Sequence, residues 1–195
     1  MKNKYEVLKI ITKNQTLIWQ DVHGIAPDKV AIKMDDAMLR WLVDLTDCLN
    51  IWIKKGQQMT EGELILARTN LGAIVESWLK FFYCIFYEQY LKKPKLNGKK
   101  KIIEPDDMTI EKLKTYSTGI LWDSKQSAWY CWVEKVQKRR NAVHSFKYKD
   151  IGTPQDFLND VEKLYDFVDM LQDHFPPVED LLEGYPPGYV VNPYI

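Results

Sequence analysis

The stretch Gln137–Phe146, QKRRNAVHSF, gathers side chains that can do chemistry. It contains two adjacent arginines, Arg139 and Arg140, followed by Asn141 and His144. An arginine fork can bind an anionic group at two points, and an imidazole exchanges protons near neutral pH. The stretch is therefore either the solvated end of an ordinary helix or a cluster of catalytic groups.

Helical spacing places part of this stretch on a face that points to the core. At about 100° per residue, one narrow apolar face carries Trp129, Trp132, Val133 and Val136. The same spacing continues to Arg140, with Arg139 at one border and His144 at the other. The helix dipole alone favours cations near a helix C-terminus. An inward-facing arginine is costly, however, unless it is paired or opens onto a cleft or a subunit interface.

Composition limits the classes of protein to which this chain can belong. Its 195 residues are enough for one domain with a real core. The 27 acidic and 27 basic residues balance, so any contact with nucleic acid must be local. Three cysteines, at positions 48, 84 and 131, lie far apart among apolar neighbours, which favours a reduced, cytoplasmic setting.

Cofactors and membranes are not expected from this sequence. Its three histidines are scattered, so they do not predict a metal site, and no glycine-rich phosphate loop is present. We interpret His23 and His174 as structural or surface residues. The most apolar run, Phe81–Tyr87, has seven residues and is too short to span a bilayer.

The elements that must position the cluster are helices. Between Asp28 and Lys93, glycine and proline are sparse and apolar residues recur at helical spacing, which predicts two long antiparallel helices joined at Lys55-Gly56. The run Phe81–Tyr87 is apolar all round, so we expect it at the centre of a bundle or at a subunit contact. A monomer has limited room to bury it.

The rest of the chain extends this pattern to an all-α, up-and-down bundle of four to six helices. We expect a short helix at 109–116, a longer one at about 124–146, and a last helix after the N-cap signal Thr153-Pro154. The sequence leaves open whether residues near 29–33 form a short strand. The tail after Pro177 is rich in proline and glycine. The single domain, 1–195, then has its core at about 35–175, with an N-terminal extension and a C-terminal tail.

A lysine-rich loop follows the second long helix. Six lysines fall within Lys92–Lys101, around a proline and a glycine. The loop is either a solvated connection or a flexible cationic arm that attracts phosphate without sequence specificity.

The stretch RRNAVHSF, placed near the end of a long helix with one more amphipathic helix after it, resembles the HEPN superfamily. The family signature is an arginine, four to six intervening residues and a histidine, which Arg139 and His144 match. Many members carry a polar residue, often asparagine, directly after the arginine. Because Arg140 occupies that slot and Asn141 follows it, the active arginine is either Arg139, or Arg140 with a spacing one residue short. The segment 66–90, LARTNLGAIVESWLKFFYCIFYEQY, also looks like the long second helix of bacterial HEPN-like proteins.

This resemblance implies a metal-independent RNA endonuclease that acts as a homodimer, with the arginines and histidines of both subunits meeting in a cleft. His144 would be the base, its symmetry mate or a water the acid, and Arg139 or Arg140 the phosphate clamp. Asn141 belongs to the same cluster, and Glu76 either orients an arginine or is a surface residue. The products would be a 2',3'-cyclic phosphate and a 5'-hydroxyl. The protein would be a toxin or a phage-defence effector, with RNA and an antitoxin protein as partners.

Two other interpretations stay open. The chain could be a non-catalytic HEPN-like module that binds RNA, a nucleotide or a protein. It could also be a structural helical protein in which the arginine and histidine form an intramolecular cap. A monomer in which Arg140 pairs with an acid of its own chain would favour that last interpretation.

Overall fold

Helix α4 runs through the centre of an all-α fold. The computed structural model describes residues 2–177. In chain order the α-helices are α1 (Lys2–Trp19), α2 (Asp28–Asp36), α3 (Leu39–Lys55), α4 (Glu61–Ile85), α5 (Tyr87–Lys92), α6 (Ile110–Tyr116), α7 (Ala128–Arg140) and α8 (Pro154–Gln172). No strand occurs among the described residues. The predicted fold class is confirmed, although three short helices, α2, α5 and α6, accompany the five long ones.

Helix α4 begins at a capping box formed by two residues. Thr60 Oγ1 accepts a hydrogen bond from the amide of Glu63, and the Glu63 carboxylate accepts one from the amide of Thr60. The helix then contacts α2, α3, α5, α6, α7 and α8, and its Trp78 is fully buried. A helix surrounded in this way has to be apolar on most sides, which explains its sequence.

The apolar run Phe81–Tyr87 is buried within the single chain as far as Ile85, and Phe86 and Tyr87 are half-buried. The side chains from Phe81 to Ile85 are at most 5% exposed, and Phe81 meets the ring of Phe175 edge to face at 5.9 Å between centroids. The expectation that a monomer has limited room for this run was therefore wrong, and the run gives no argument for a dimer. Between residues 2 and 177, no helix has both the length and the apolarity needed to cross a bilayer.

Helix α1 belongs to the bundle. Its Tyr5 and Leu8 are buried, and the Tyr5 hydroxyl donates to the carbonyl of Asp47 on α3 at 3.1 Å. Lys4 forms an ion pair with Asp166 of α8, and its Nζ lies 5.3 Å from the centroid of the Tyr165 ring. The helical core therefore begins well before residue 35.

Two local predictions, the start of a helix after Thr153 and the helix at 109–116, are confirmed. A third, the short strand near 29–33, is wrong. Thr153 caps α8 in a second capping box with Asp156, and Pro154 is the first helical residue. The predicted helix at 109–116 is α6. The segment 29–33 lies within α2 and is not a strand; Val30, Ala31 and Met34 are buried at helical spacing, and Ile32 is exposed. The predicted irregular tail after Pro177 lies outside the described residues.

The lysine-rich loop is a hydrogen-bonded turn. The Asn97 side chain accepts from the amides of Lys99 at 2.8 Å and Lys101 at 3.0 Å, and the Tyr90 hydroxyl accepts from the amide of Lys95 at 3.0 Å. These bonds give the backbone a defined path between α5 and α6. Attraction of phosphate by its lysines stays a prediction.

We expect Leu8→Ala to lower the free energy of unfolding by about 2–5 kcal/mol, because it leaves a cavity where α1 enters the core. Leu17→Ala, on the same helix but 48% exposed, should change it by less than about 1 kcal/mol. Urea denaturation followed by circular dichroism measures both. Equal effects of the two substitutions would show that α1 is not anchored as described.

Candidate functional site

The end of α7 differs from the predicted helix. The α-helix begins at Ala128 rather than near residue 124, since Ser127 is its N-cap residue, and it ends at Arg140. A 3-10 turn, Asn141–His144, follows, and Ser145 is extended. A 3-10 helix turns about 120° per residue instead of about 100°. The expectation that Arg140 and His144 share one face was therefore too simple, because the tighter turn rotates His144 away from the direction of Arg140.

Arg139 points into the chain's own carboxylates. Its side chain is 12% exposed, and Nη1 donates to Asp160 Oδ2 at 3.3 Å. Its Nη2 lies 3.7 Å from an oxygen of Asp156 and 3.9 Å from one of Asp150. Three carboxylates of α8 and the loop before it thus surround one guanidinium, which leaves Arg139 little freedom to bind another anion.

Gly152 makes room for this arrangement. Its φ is +67°, a left-handed conformation that favours glycine. A Cβ on Gly152 would lie 2.5 Å from Nη2 of Arg139. The backbone therefore favours glycine here, and a larger residue would also have to displace the guanidinium of Arg139.

Asp160 is the buried centre of this network, with a side chain that is 3% exposed. Its Oδ2 accepts from Arg68 Nη1 at 2.6 Å as well as from Arg139. Its Oδ1 accepts from Trp132 Nε1 at 3.0 Å and lies 2.7 Å from Lys135 Nζ. Helices α4, α7 and α8 each contribute to this one carboxylate group.

Arg68 is the other buried charge of the network and is 1% exposed. Burial lowers its pKa, and the hydrogen bond to Asp160 opposes that effect. Its Nε also donates to the carbonyl of Ile151 at 3.0 Å, which fixes the end of the loop before α8. Sequence reasoning missed Arg68 and Asp160, although each is a charged residue within an apolar helical stripe, the same signal that singled out Arg140.

Arg140 lies on the other side of α7 and packs across α4. Its Nη2 is 3.3 Å from Glu76 Oε2, and its Nη1 donates to the side-chain oxygen of Asn141 at 3.3 Å. A Cβ on Gly72 would lie 2.5 Å from its Cγ, so the aliphatic stem needs glycine beneath it. About a third of the side chain, 30%, remains exposed. Arg140 is thus positioned by its neighbours yet still open to solvent.

Glu76 orients this arginine, which answers the question left open by the sequence. Its side chain is 16% exposed, and its second oxygen lies 3.2 Å from Lys80 Nζ. The oxygen facing Arg140 is buried and makes no hydrogen bond to any described residue, so it is stabilised by the nearby positive charge. The pair is an ion pair between α4 and α7.

Of the three histidines, His144 belongs to the cluster at 139–144, and His23 and His174 lie outside it. His144 is exposed, and its side chain makes no hydrogen bond or ion pair with any residue between 2 and 177. His23 pairs with Asp35, whose hydrogen bond raises the pKa of the imidazole. His174 Nδ1 lies 2.9 Å from the carbonyl of Met170. In the part of the chain that the structure describes, no three His, Cys, Asp or Glu side chains are placed to hold a metal ion.

Comparisons with known proteins find no match for this chain among family models, curated proteins or solved structures. No relative therefore assigns a role to Arg140, Asn141 or His144. The structure brings Arg140, Asn141 and Glu76 into contact, places His144 on the next turn, and directs Arg139 to a separate network.

We expect the two arginines to differ in their effect on stability. Arg139→Gln should lower the free energy of unfolding by about 1–3 kcal/mol, because it leaves buried carboxylate oxygens short of a cation. Arg140→Gln should cost less than Arg139→Gln, because Arg140 is 30% exposed and pairs with one carboxylate, Glu76, whose other oxygen lies beside Lys80. Urea titration of both variants gives the comparison, and a larger loss for Arg140→Gln would reverse the assignment of the two residues.

Proposed function

We propose that this chain is a metal-independent RNA endonuclease of HEPN type in which Arg140, not Arg139, is the phosphate-binding arginine. The observation that carries the proposal is the open guanidinium of Arg140, held by Glu76 and Asn141 above Gly72. A guanidinium that is held in place but not enclosed keeps donors for a phosphate. The resemblance to the HEPN superfamily supplies the reaction class. With Arg140 as the active arginine, followed by Asn141, the spacing to His144 is one residue shorter than in the family signature.

The reaction needs three groups at one phosphodiester. His144, as the neutral imidazole, takes the proton of a ribose 2'-hydroxyl, and the resulting oxygen attacks the adjacent phosphorus. Arg140 stabilises the charge that develops on the phosphoryl oxygens. As the bond to the 5'-oxygen breaks, that oxygen takes a proton from a second acid. The products are a 2',3'-cyclic phosphate and a 5'-hydroxyl.

A second copy of the chain completes the proposed site. One chain contributes one imidazole to the cluster, and the reaction uses both a base and an acid. In a homodimer with the 3-10 turns facing each other, His144 of the second copy would be the acid, and a water molecule is the other source. The partly exposed Val143 and the exposed His144 on this turn support such a contact.

The biological setting of the proposal comes from the same resemblance. The enzyme would act on RNA in the cytoplasm as a toxin or phage-defence effector and would be restrained by an antitoxin protein. All three cysteines are free thiols, which fits a reducing compartment.

We expect the purified protein to cleave single-stranded RNA in the presence of EDTA. His144→Ala and Arg140→Gln should each reduce the rate by about 100- to 1000-fold. His23→Ala is the matched control, since that histidine is exposed and pairs only with Asp35 among the described residues. Gel electrophoresis follows the cleavage, and mass spectrometry identifies the new ends. Intact RNA under all conditions, or fragments with 5'-phosphates, would count against the proposal.

A non-catalytic RNA-binding module is the second candidate, and the 3-10 turn favours it. The turn rotates His144 away from Arg140, so one chain does not present the two groups side by side. In this case Arg140→Gln weakens RNA binding, no fragment appears, and His144→Ala has no effect on host growth.

A purely structural role is the third candidate. Arg140 does pair with an acid of its own chain, Glu76. This role additionally requires a monomer that binds no RNA. Light scattering at micromolar protein concentration, together with an RNA-binding assay, separates it from the other two.

A further inference from the structure

We propose that the loop 145–150, SFKYKD, is a platform on which bases of single-stranded RNA stack. The inference rests on the proposed function in that it takes RNA as the ligand, and it adds how the strand is held and why it must be single-stranded. The side chains that carry it are Phe146 and Tyr148, with Lys147 and Lys149 between and after them.

The two aromatic rings are far more exposed than any other large apolar side chain described. Phe146 is fully exposed and Tyr148 is 93% exposed. The other exposed large apolar side chains among the described residues lie between 39% and 61%. Within residues 2–177 neither ring packs against another aromatic ring. Such exposure is unfavourable in water, so two neighbouring instances mark a surface that is covered by a ligand.

The loop presents these rings from a fixed base. Ser145 Oγ donates to the carbonyl of Lys147 at 2.7 Å, and the amide of Gly152 donates to Asp150 Oδ1 at 2.8 Å. Beyond Asp150, the carbonyl of Ile151 is held by the buried Arg68. At the other end, the amide of Ser145 donates to the carbonyl of the buried Ala142 at 2.9 Å. Both ends of the loop are therefore anchored, which reduces the entropy lost when a ligand binds.

Two of the three charges on the loop match a phosphate backbone, and the third, Asp150, lies 3.9 Å from Arg139 Nη2. Lys147 and Lys149 are exposed, and neither makes an ion pair with another described residue. The lysines on the nearby end of α7 are different, since Lys135 pairs with Asp160 and Lys138 with Glu134. Two uncommitted cations next to two rings can contact phosphates while the rings contact bases.

The loop also has space for a strand on both sides. Tyr148 and Lys149 line a cleft of about 540 Å³ together with Lys135 and Lys138, and they line a second cleft of about 510 Å³ together with Phe146. Phe146 comes two residues after His144 in the chain. In the proposed arrangement, a strand bound at His144 continues onto the platform.

Stacking requires single-stranded RNA. In a duplex the bases stack on each other and their faces are not available, whereas unpaired bases stack on aromatic side chains with little regard to sequence. The balanced net charge of the chain provides no general attraction for duplexes.

The test uses a fluorescent single-stranded RNA with 2'-O-methyl groups, which cannot be cleaved through the 2'-oxygen. Fluorescence anisotropy measures its binding to the full chain. Phe146→Leu and Tyr148→Leu should each weaken binding about tenfold, within a range of about 5- to 150-fold. Phe146→Tyr and Tyr148→Phe keep a stacking face and should bind like the parent. Trp41→Leu, at an exposed ring on α3, is the matched control and should also bind like the parent.

The outcomes distinguish a failure of the platform from a failure of the proposed function. If the parent cleaves unmodified RNA but the leucine variants bind as tightly as the parent, the platform is wrong and the proposed function stands. If ring-dependent binding is seen without any cleavage, the platform stands and the proposed function fails. Equal loss with Trp41→Leu, no binding by the parent, or leucine variants that dissociate a dimer in light scattering would each overturn the platform, the last in favour of a second copy of the chain.

Discussion

This end of the bundle depends on the hydrogen bonds and ion pairs made by the buried carboxylate of Asp160. It accepts from Arg68, Arg139 and the indole of Trp132, and it lies beside Lys135. A buried charge is tolerated only when it is paired and hydrogen-bonded. The excess of cations around Asp160 is balanced by the acids near Arg139 and by the backbone carbonyl that Arg68 also binds. Three helices and one loop are thereby fixed relative to one another.

This network separates the two adjacent arginines. Consecutive residues of a helix point about 100° apart, so when Arg139 turns to α8, Arg140 must turn to another neighbour. That neighbour is α4, where Gly72 leaves space for the stem and Glu76 provides the charge. One side chain stabilises the fold, and the next is held at the surface, where it is available to a ligand.

The sequence predicted the helices whose apolar stripes and caps agree, such as α4 and α8, but it did not predict the place of α1. The inward positions of α1 include Thr12 and Thr16, which are buried although they are polar. Thr12 satisfies its hydroxyl by donating to the carbonyl of Leu8 in the same helix. Within the candidate site, the cluster 139–144 could be found from residue types and spacing. The choice between the arginines could not, because their partners come from α4 and α8, and the 3-10 turn could not, because the spacing argument assumes an α-helix.

The contact between α1 and α8 affects the order in which the chain can fold during synthesis. Helix α1, which is made before the other described helices, packs against α8, the last of them, with Lys4 beside Tyr165 and Asp166. Contacts so distant in sequence form late, because a long loop must close first. Until α8 is made, part of the inner face of α1 has no partner, and a nascent or shortened chain without α8 therefore offers an apolar surface to chaperones and proteases.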